Sequence, residues 1–445
     1  MAVIEYTSNQ ITDLVAKFNP ANTFNYEVDI HVGDRIIKPF NLEYMKLIAE
    51  YRQGVGEQIG VRLLLLTADY DRHIYPYRNN LYITIRKIPT SRLLGSTRTA
   101  EKIRSKRFKA SISKPTDNSM QGLPSYDGAQ SLVSVDFQLL DPALDQLRLI
   151  TVGFNSNQQT PANVLKVGLG YFGKQLQLPA DSSMLGVDMY PSDETKQLAN
   201  ILIPHGTKLI DLAKYIQKHG GGIYRYGIGA FYTNQIWYVY PLYDTGRYQK
   251  TTRTLDILMI PPNQRPGQDK TYAVNQNKVF IIVTRESTQL DNKDIDYQNS
   301  GNATQFTLAS NQFDQYGKVD GNQTELDTSK VTAQFLVDHR ESGLQATTFS
   351  SERTTDNVCY QMSQKTALQG QYVGLVWENG DPDLLYPGMP VRVVAPNDTG
   401  DKIYQGVLLT KEAHTNQLSP GVTGTTYATN IALTIFMDEI KKPKI

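Results

Sequence analysis

The chain has 445 residues, with 45 basic against 44 acidic side chains. It is too long for one ordinary core, so two to four domains are expected, and its charge balance gives no whole-chain attraction to nucleic acid or membrane. The single cysteine, Cys359, excludes an intramolecular disulfide. No apolar run approaches the roughly 20 residues of a membrane helix, and the first ten residues, MAVIEYTSNQ, lack the basic and apolar regions of a signal peptide. The reading is therefore a protein made in a cytoplasm, without membrane insertion by this chain. The 27 tyrosines suit half-buried strands and subunit interfaces equally well.

Residues 24–88 read as an antiparallel sheet or barrel. FNYEVDIHVG, RIIKPFNLEYMKLIAEY, GVRLLLLTADYD and NLYITIRKI are short alternating runs punctuated by Gly, Asp, Pro and Asn. The pattern collapses over 89–130. The segment 92–114 carries Arg92, Arg98, Lys102, Arg104, Lys106, Arg107, Lys109 and Lys114 against Glu101 alone. It reads as a long basic loop inserted into a β-domain that resumes at Ser131–Leu140, and Arg98, Lys102, Arg104, Lys106, Arg107 and Lys109 are its candidate binding residues. Such an arm can contact phosphate or an acidic partner, although Phe108 alone gives little for base stacking. The bland alternative is a solvated or protein-contacting loop.

Two helices follow. Thr160-Pro161 is an N-cap and first-turn pair, with Val164, Leu165, Leu169 and Phe172 on one face. The second helix spans about 208–219, with Leu209, Leu212, Ala213 and Ile216 as a buried stripe, stopped by Gly220-Gly221-Gly222. Two tyrosine-rich strands joined at Asn234-Gln235 complete an α+β module. The run Pro261-Pro262-Asn263-Gln264-Arg265-Pro266-Gly267 is a stop. Beyond it lie the strand Lys278–Thr284, a polar tract over 289–328 read as an extended arm, and β-character in TALQGQYVGLVWENG, MPVRVVAP, KIYQGVLLTKEAHT and YATNIALTIFMDEI. The fold class is mainly β with a small α+β module, two β-barrel-like domains flanking a helix-plus-hairpin domain. The expected domains are 1–150, including the insertion 89–130, then 151–262, then 263–445 with the arm 289–328.

Catalytic chemistry is hard to find. Six histidines are scattered without partners at metal spacing. His205 and His219 read as turn and helix-end residues, and His414 beside Glu412 as an exposed polar pair. No GxSxG or phosphate loop occurs, and Gly168, Gly170 and Gly173 fall inside a helix pattern. Cys359 reads as a buried structural thiol. Asp381 and Asp383 in ENGDPDLLYPG are the carboxylate pair a glycosidase would need, but the setting reads as a solvated turn. No catalytic residue, metal or cofactor is expected, and the chain is read as no enzyme.

The run ILIPHGTKLIDLAKYIQKHGGGIYRYGIGAFYTNQIWYVYPLYDTGRY resembles the baseplate hub proteins of contractile-tailed bacteriophages, in its IPHGTKL helix entry, glycine break and hairpin ending in YPLYD. HIYPYRNNLYITIRKI looks like that family's first β-domain, and LYPGMPVRVV with YQGVLLTKEAHTN like its last. The resemblance implies a structural virion protein: a homotrimeric hub with two tube-like barrels per chain, joining a sixfold tail tube to a trimeric central spike. Its implied partners are the tail tube protein, the spike protein, other baseplate proteins and the tape measure protein. Its implied place is the tail baseplate of the virion, after assembly in the host cytoplasm. The basic segment and the polar arm are departures from the family. The alternatives are a tail-associated cell-wall hydrolase and a receptor- or carbohydrate-binding tail protein.

Overall fold

The computed structural model describes residues 24–89, 104–113, 132–176, 178–179, 182–260, 272–275, 277–284, 288–289, 306–308, 316–320, 323–325, 334–340, 343–349, 358–369, 371–395, 402–418 and 426–439. Strict alternation builds the first part. In the strand Leu81–Pro89, the side chains of Leu81, Ile83, Ile85 and Lys87 are buried while those between them are half-exposed, because successive residues of a strand point to opposite faces. The early strands are β1 (Phe24–Val32), β2 (Arg35–Ile37), β3 (Asn41–Glu50), β4 (Gln58–Leu66), β5 (Leu81–Pro89), β6 (Arg104–Ile112) and β7 (Leu132–Leu140). The segment expected as one basic loop is thus partly a strand, β6, hydrogen-bonded between β5 and β7. Its polar composition hid the strand, since only Phe108, Ala110 and Ile112 mark the inward face.

The middle of the chain is the α+β module: α1 (Pro142–Leu147), β8 (Thr151–Gln159), α2 (Pro161–Lys174), β9 (Gly186–Met189), β10 (Leu198–Lys208), α3 (Leu212–His219), β11 (Ile228–Thr233) and β12 (Ile236–Pro241). Thr160 caps α2 by accepting from Asn163 N at 3.2 Å. A tight turn, Leu209–Asp211, leads into α3. After Gly220, Gly221 and Gly222 take φ of +93° and +80°, which a side chain would strain. The turn at Asn234 and Gln235 has φ of 50° and 65°, the mirror-image geometry that matches strand twist. The helix stripe Leu212, Ala213 and Ile216 packs with Trp237 and Val239 of the hairpin in one cluster. Gln217, which no apolar pattern flags, ties the glycine corner: its side chain accepts from Ile223 N at 2.9 Å and donates to Tyr224 O at 2.6 Å.

The remainder comprises β13 (Thr254–Ile260), β14 (Tyr272–Asn275), β15 (Lys278–Thr284), β16 (Thr288–Gln289), β17 (Phe306–Leu308), β18 (Tyr316–Asp320), β19 (Gln323–Glu325), β20 (Gln334–Arg340), β21 (Gly343–Phe349), α4 (Val358–Gln369), β22 (Gln371–Trp377), β23 (Pro390–Ala395), β24 (Lys402–Gln417) and β25 (Tyr427–Glu439). The polar tract therefore contains short strands, and among the described residues β17–β19 pair with one another and β20 with β21. Helix α4 replaces the β-character expected at its C-terminal end. It buries Cys359, as expected, and burial pushes that thiol's pKa up.

Two rings of strands share one hairpin. The first runs β3-β4-β7-β6-β5-β1-β25-β24 and returns to β3. Its junction of β1 with β25 is a single register pair, Phe24 with Tyr427. The second runs β13-β23-β24-β25-β22, with β15 on β13 and β16 on β22, and stays open: its ends, β15 and β22, approach each other without a hydrogen-bonded ladder among the described residues. In β24, Lys402–Val407 pairs with β23 and Thr410–Asn416 with β3, and the register shifts between Leu408 and Thr410. At that bulge the Leu409 carbonyl accepts from Tyr51 N at 2.8 Å, and a bulge both bends a strand and increases its twist. One hairpin can therefore turn from one ring into the other. The first ring has eight strands, a size whose interior side chains fill. Leu63, Leu65, Ile83, Phe137 and Leu139 do so, in a core continuous with that of the second ring.

Candidate functional site

Strand alternation divides the basic segment. Arg104 and Lys106 share the inward parity of Phe108 and Ala110, whereas Arg107 and Lys109 point outward. Lys109 donates to Asp145 at 2.6 Å, and Asp145 also takes Arg148 at 2.5 Å. Arg107 lies over the Tyr82 ring at 4.7 Å. Arg98 and Lys102 lie outside the described residues. Of the described candidates, Arg104, Lys106 and Lys109 are thus held in internal ion pairs, and Arg107 is left facing solvent over a ring.

The loop between β22 and β23 is the partner of the inward cations. A short turn, Pro382–Leu384, carries Asp383 into one end of the first ring. Lys87 Nζ donates to Asp381 at 2.5 Å and to Asp383 at 3.1 Å, and stands 3.9 Å over the Phe24 ring. Arg104 and Lys106 reach Asp383 at 3.1 and 3.4 Å. Beside them Lys411 pairs with Glu57 at 3.2 Å and donates to the Pro382 carbonyl at 3.1 Å. Asp381 and Lys87 are 5% and 8% exposed, so the solvated turn expected for Asp381 and Asp383 is corrected: they form the charged head of a loop that seals a barrel. A gap of about 60 Å³ remains beneath, lined by Tyr26, Met45, Leu47, Ile59, Ile85 and Phe108. Lys87 and Lys411 escaped the sequence reading, yet a signal existed: each is a charge on the inward parity of an otherwise apolar or small-residue strand face.

Burial alone would raise the Asp383 pKa, but Lys87, Lys106, Arg104 and Lys411 outweigh it and hold the carboxyl well below the usual range. Glu57 is lowered too, burial being overcome by Lys411 and Lys106. Burial disfavours the Lys87 ammonium, yet Asp383 and Asp381 raise its pKa. A depressed carboxylate pKa contributes stability that is complete above the unfolded value, near 4, and is lost as pH falls through the folded value. The midpoint of urea unfolding is therefore expected to be flat from about pH 7 to 5 as far as these groups go, and to fall steeply below about pH 4. An Asp383→Asn chain should show a shallower fall. Parallel curves for the two chains would refute the assignment.

Asp383, held ionised in this way, cannot serve as a general acid near neutrality. Among the described residues no group of three or more His, Cys, Asp and Glu side chains could hold a metal ion. His414 pairs with Glu412 at 2.9 Å and Glu412 with Lys46 at 2.5 Å on the outer face. His219 packs on Tyr215 at the end of α3. No helix among the described residues is long and apolar enough to cross a membrane.

The described residues thus form a closed eight-stranded ring and an open second ring joined by one hairpin, with a helix-and-hairpin module beside them. No family model and no curated protein matches the sequence of this chain. Its structure is similar to that of the 43 kDa tail protein of prophage MuSo2 from Shewanella oneidensis, at 10% identity and a TM-score of 0.46 over 92% of this chain and 98% of that one. It is also similar to the E. coli c3393 protein, a type VI secretion component described as resembling the T4 bacteriophage tail proteins gp27 and gp5, at 8% identity and 0.41 over 93% and 79%. A third similar structure is a PdpA–VgrG complex, at 8% and 0.35 over 95% and 66%.

Proposed function

We propose that this chain is a structural protein of a phage-type tail, a homotrimeric hub that joins a sixfold tail tube to a trimeric central spike. The observation that carries the reading is the shared hairpin β24–β25, which fixes two strand rings to each other. Two rings per chain in a trimer present six barrel-sized units, so a threefold assembly can face a sixfold one. The sequence resemblance in IPHGTKL, YPLYD and LYPGMPVRVV points the same way. Closure of the first ring removes sheet edges that would otherwise invite unwanted pairing, and assembly with other subunits would cover those left in the second. Tube, spike, other baseplate proteins and the tape measure protein are the partners on this reading, and the tail baseplate its location.

Light scattering on the purified chain, alone and mixed with candidate tube and spike proteins from the same source, tests this. A trimer, formed alone or on mixing, is expected, with ring-shaped particles by negative-stain microscopy. A species that stays monomeric under both conditions would sink the hub reading. Clearing of peptidoglycan by the pure chain would instead favour the hydrolase alternative.

A further inference from the structure

Between the α+β module and the second ring lies a cleft of about 310 Å³, walled by Tyr190, Tyr238 and Tyr240 on one side and by Tyr386, Pro387 and Gly388 on the other. At its base is Arg247, from the short turn Thr245–Gln249 that leads toward β13. Arg247 is 3% exposed. It donates to the Gly388 carbonyl at 2.6 Å, and its guanidinium faces the rings of Tyr190 at 5.4 Å and Tyr240 at 5.8 Å. Its Nε–H has no hydrogen-bond partner among the described residues. A buried charged donor left unsatisfied is expensive, and the residue lines the cleft.

Two further cations line the same space. Lys250 and Arg253 are exposed, with Arg253 5.8 Å over the Tyr386 ring and its carbonyl accepting from the Tyr386 hydroxyl. Asp188 is the acidic residue in the lining, and Asp244 acts on Arg247 from outside it. Three cations against two acids leave the cleft net positive. Its volume is at the lower end of ligand pockets, about 300–1,000 Å³, which suits one or two side chains and not a polymer. The guanidinium fork matches a planar carboxylate, and the tyrosine walls offer apolar faces with hydroxyl tips.

We infer that this cleft is a recognition site for a carboxylate carried on a protein segment, an acidic side chain or a chain terminus, which enters past Lys250 and Arg253 and is held by the Arg247 guanidinium. The inference stands apart from the tail reading, because binding is measured on this chain alone. The full chain is titrated into a fluorescein-labelled, N-acetylated tetraglutamate peptide and followed by anisotropy. Saturable binding is expected, weakened roughly tenfold or more by the rim double variant Lys250→Ser/Arg253→Ser, whose thermal unfolding should match the parent's. Arg247→Lys, which keeps the charge but removes the fork, should weaken it as well. Should that variant fail to fold, the rim variant decides. The site is overturned by no binding, by binding within twofold of parent in the rim variant, or by equal binding of a tetraglutamine peptide. Displacement of the peptide by an equal concentration of inorganic phosphate would overturn the assignment to a protein carboxylate.

Discussion

Replacing Lys87 with methionine is expected to destabilise the protein by about 3–5 kcal/mol, the usual cost of removing one partner from a buried ion pair. Methionine fills a similar volume and can keep contact with Phe24, so the loss is electrostatic. Asp381 and Asp383 would keep their burial but lose the cation they share, leaving Asp383 with Arg104 at 3.1 Å and Lys106 at 3.4 Å. The readout is the urea midpoint of the full chain at neutral pH. A second chain carrying Lys87→Met, Asp381→Asn and Asp383→Asn together should recover much of the loss, because no charge is then stranded. A loss below about 1 kcal/mol, the range of exposed pairs, would show that water reaches the cluster freely and that the loop does not seal the barrel.

A chain ending at residue 400 is expected to lose the first barrel although every residue of β1–β7 is retained. That barrel takes two of its eight strands from β24 and β25. Without them β3 loses its ladder with β24 and β1 its junction at Tyr427, and Ala413, Tyr427, Ile431 and Leu433, each buried, no longer cover the core. An open sheet with exposed edges aggregates more readily than a ring. Amide exchange followed by mass spectrometry checks this: protection across 24–89 should vanish or the chain should precipitate. Excision of 301–350, by contrast, should leave that protection unchanged, since among the described residues β17–β21 pair with no strand of the first ring. Persistent protection of 24–89 in the shortened chain would refute the shared-hairpin architecture.

The particular elements that were legible share a physical cause. Leu81–Ile88 and the stripe Leu209, Leu212, Ala213 and Ile216 carry a local period, Val61–Leu66 is an apolar run of strand length, and a helix stop at three glycines is equally local. Strand β6 was harder to see, because Arg104 and Lys106 look like solvated residues unless a carboxylate is known to face them. Their partner Asp383 lies 279 and 277 positions away in sequence, and no period or spacing encodes such a meeting. The candidate residues suffered accordingly: one basic run became two inward cations on a sealing loop, one outward ion pair and one guanidinium over a ring. Arg247 is the opposite case, a single charge in an unremarkable turn whose burial arises only when the module meets the second ring.

By itself, the sequence determined the β-rich class, the helix-and-hairpin module, the lack of disulfide staples and the resemblance to tail hubs, because each is written in composition or in patterns a few residues long. The tertiary structure alone decided that the last two strands complete the first barrel, that the Asp381–Asp383 loop closes it, and that a tyrosine cleft surrounds Arg247. Those features depend on which distant strands pair and on how low the dielectric becomes once they do, and neither is a property of any local stretch of chain.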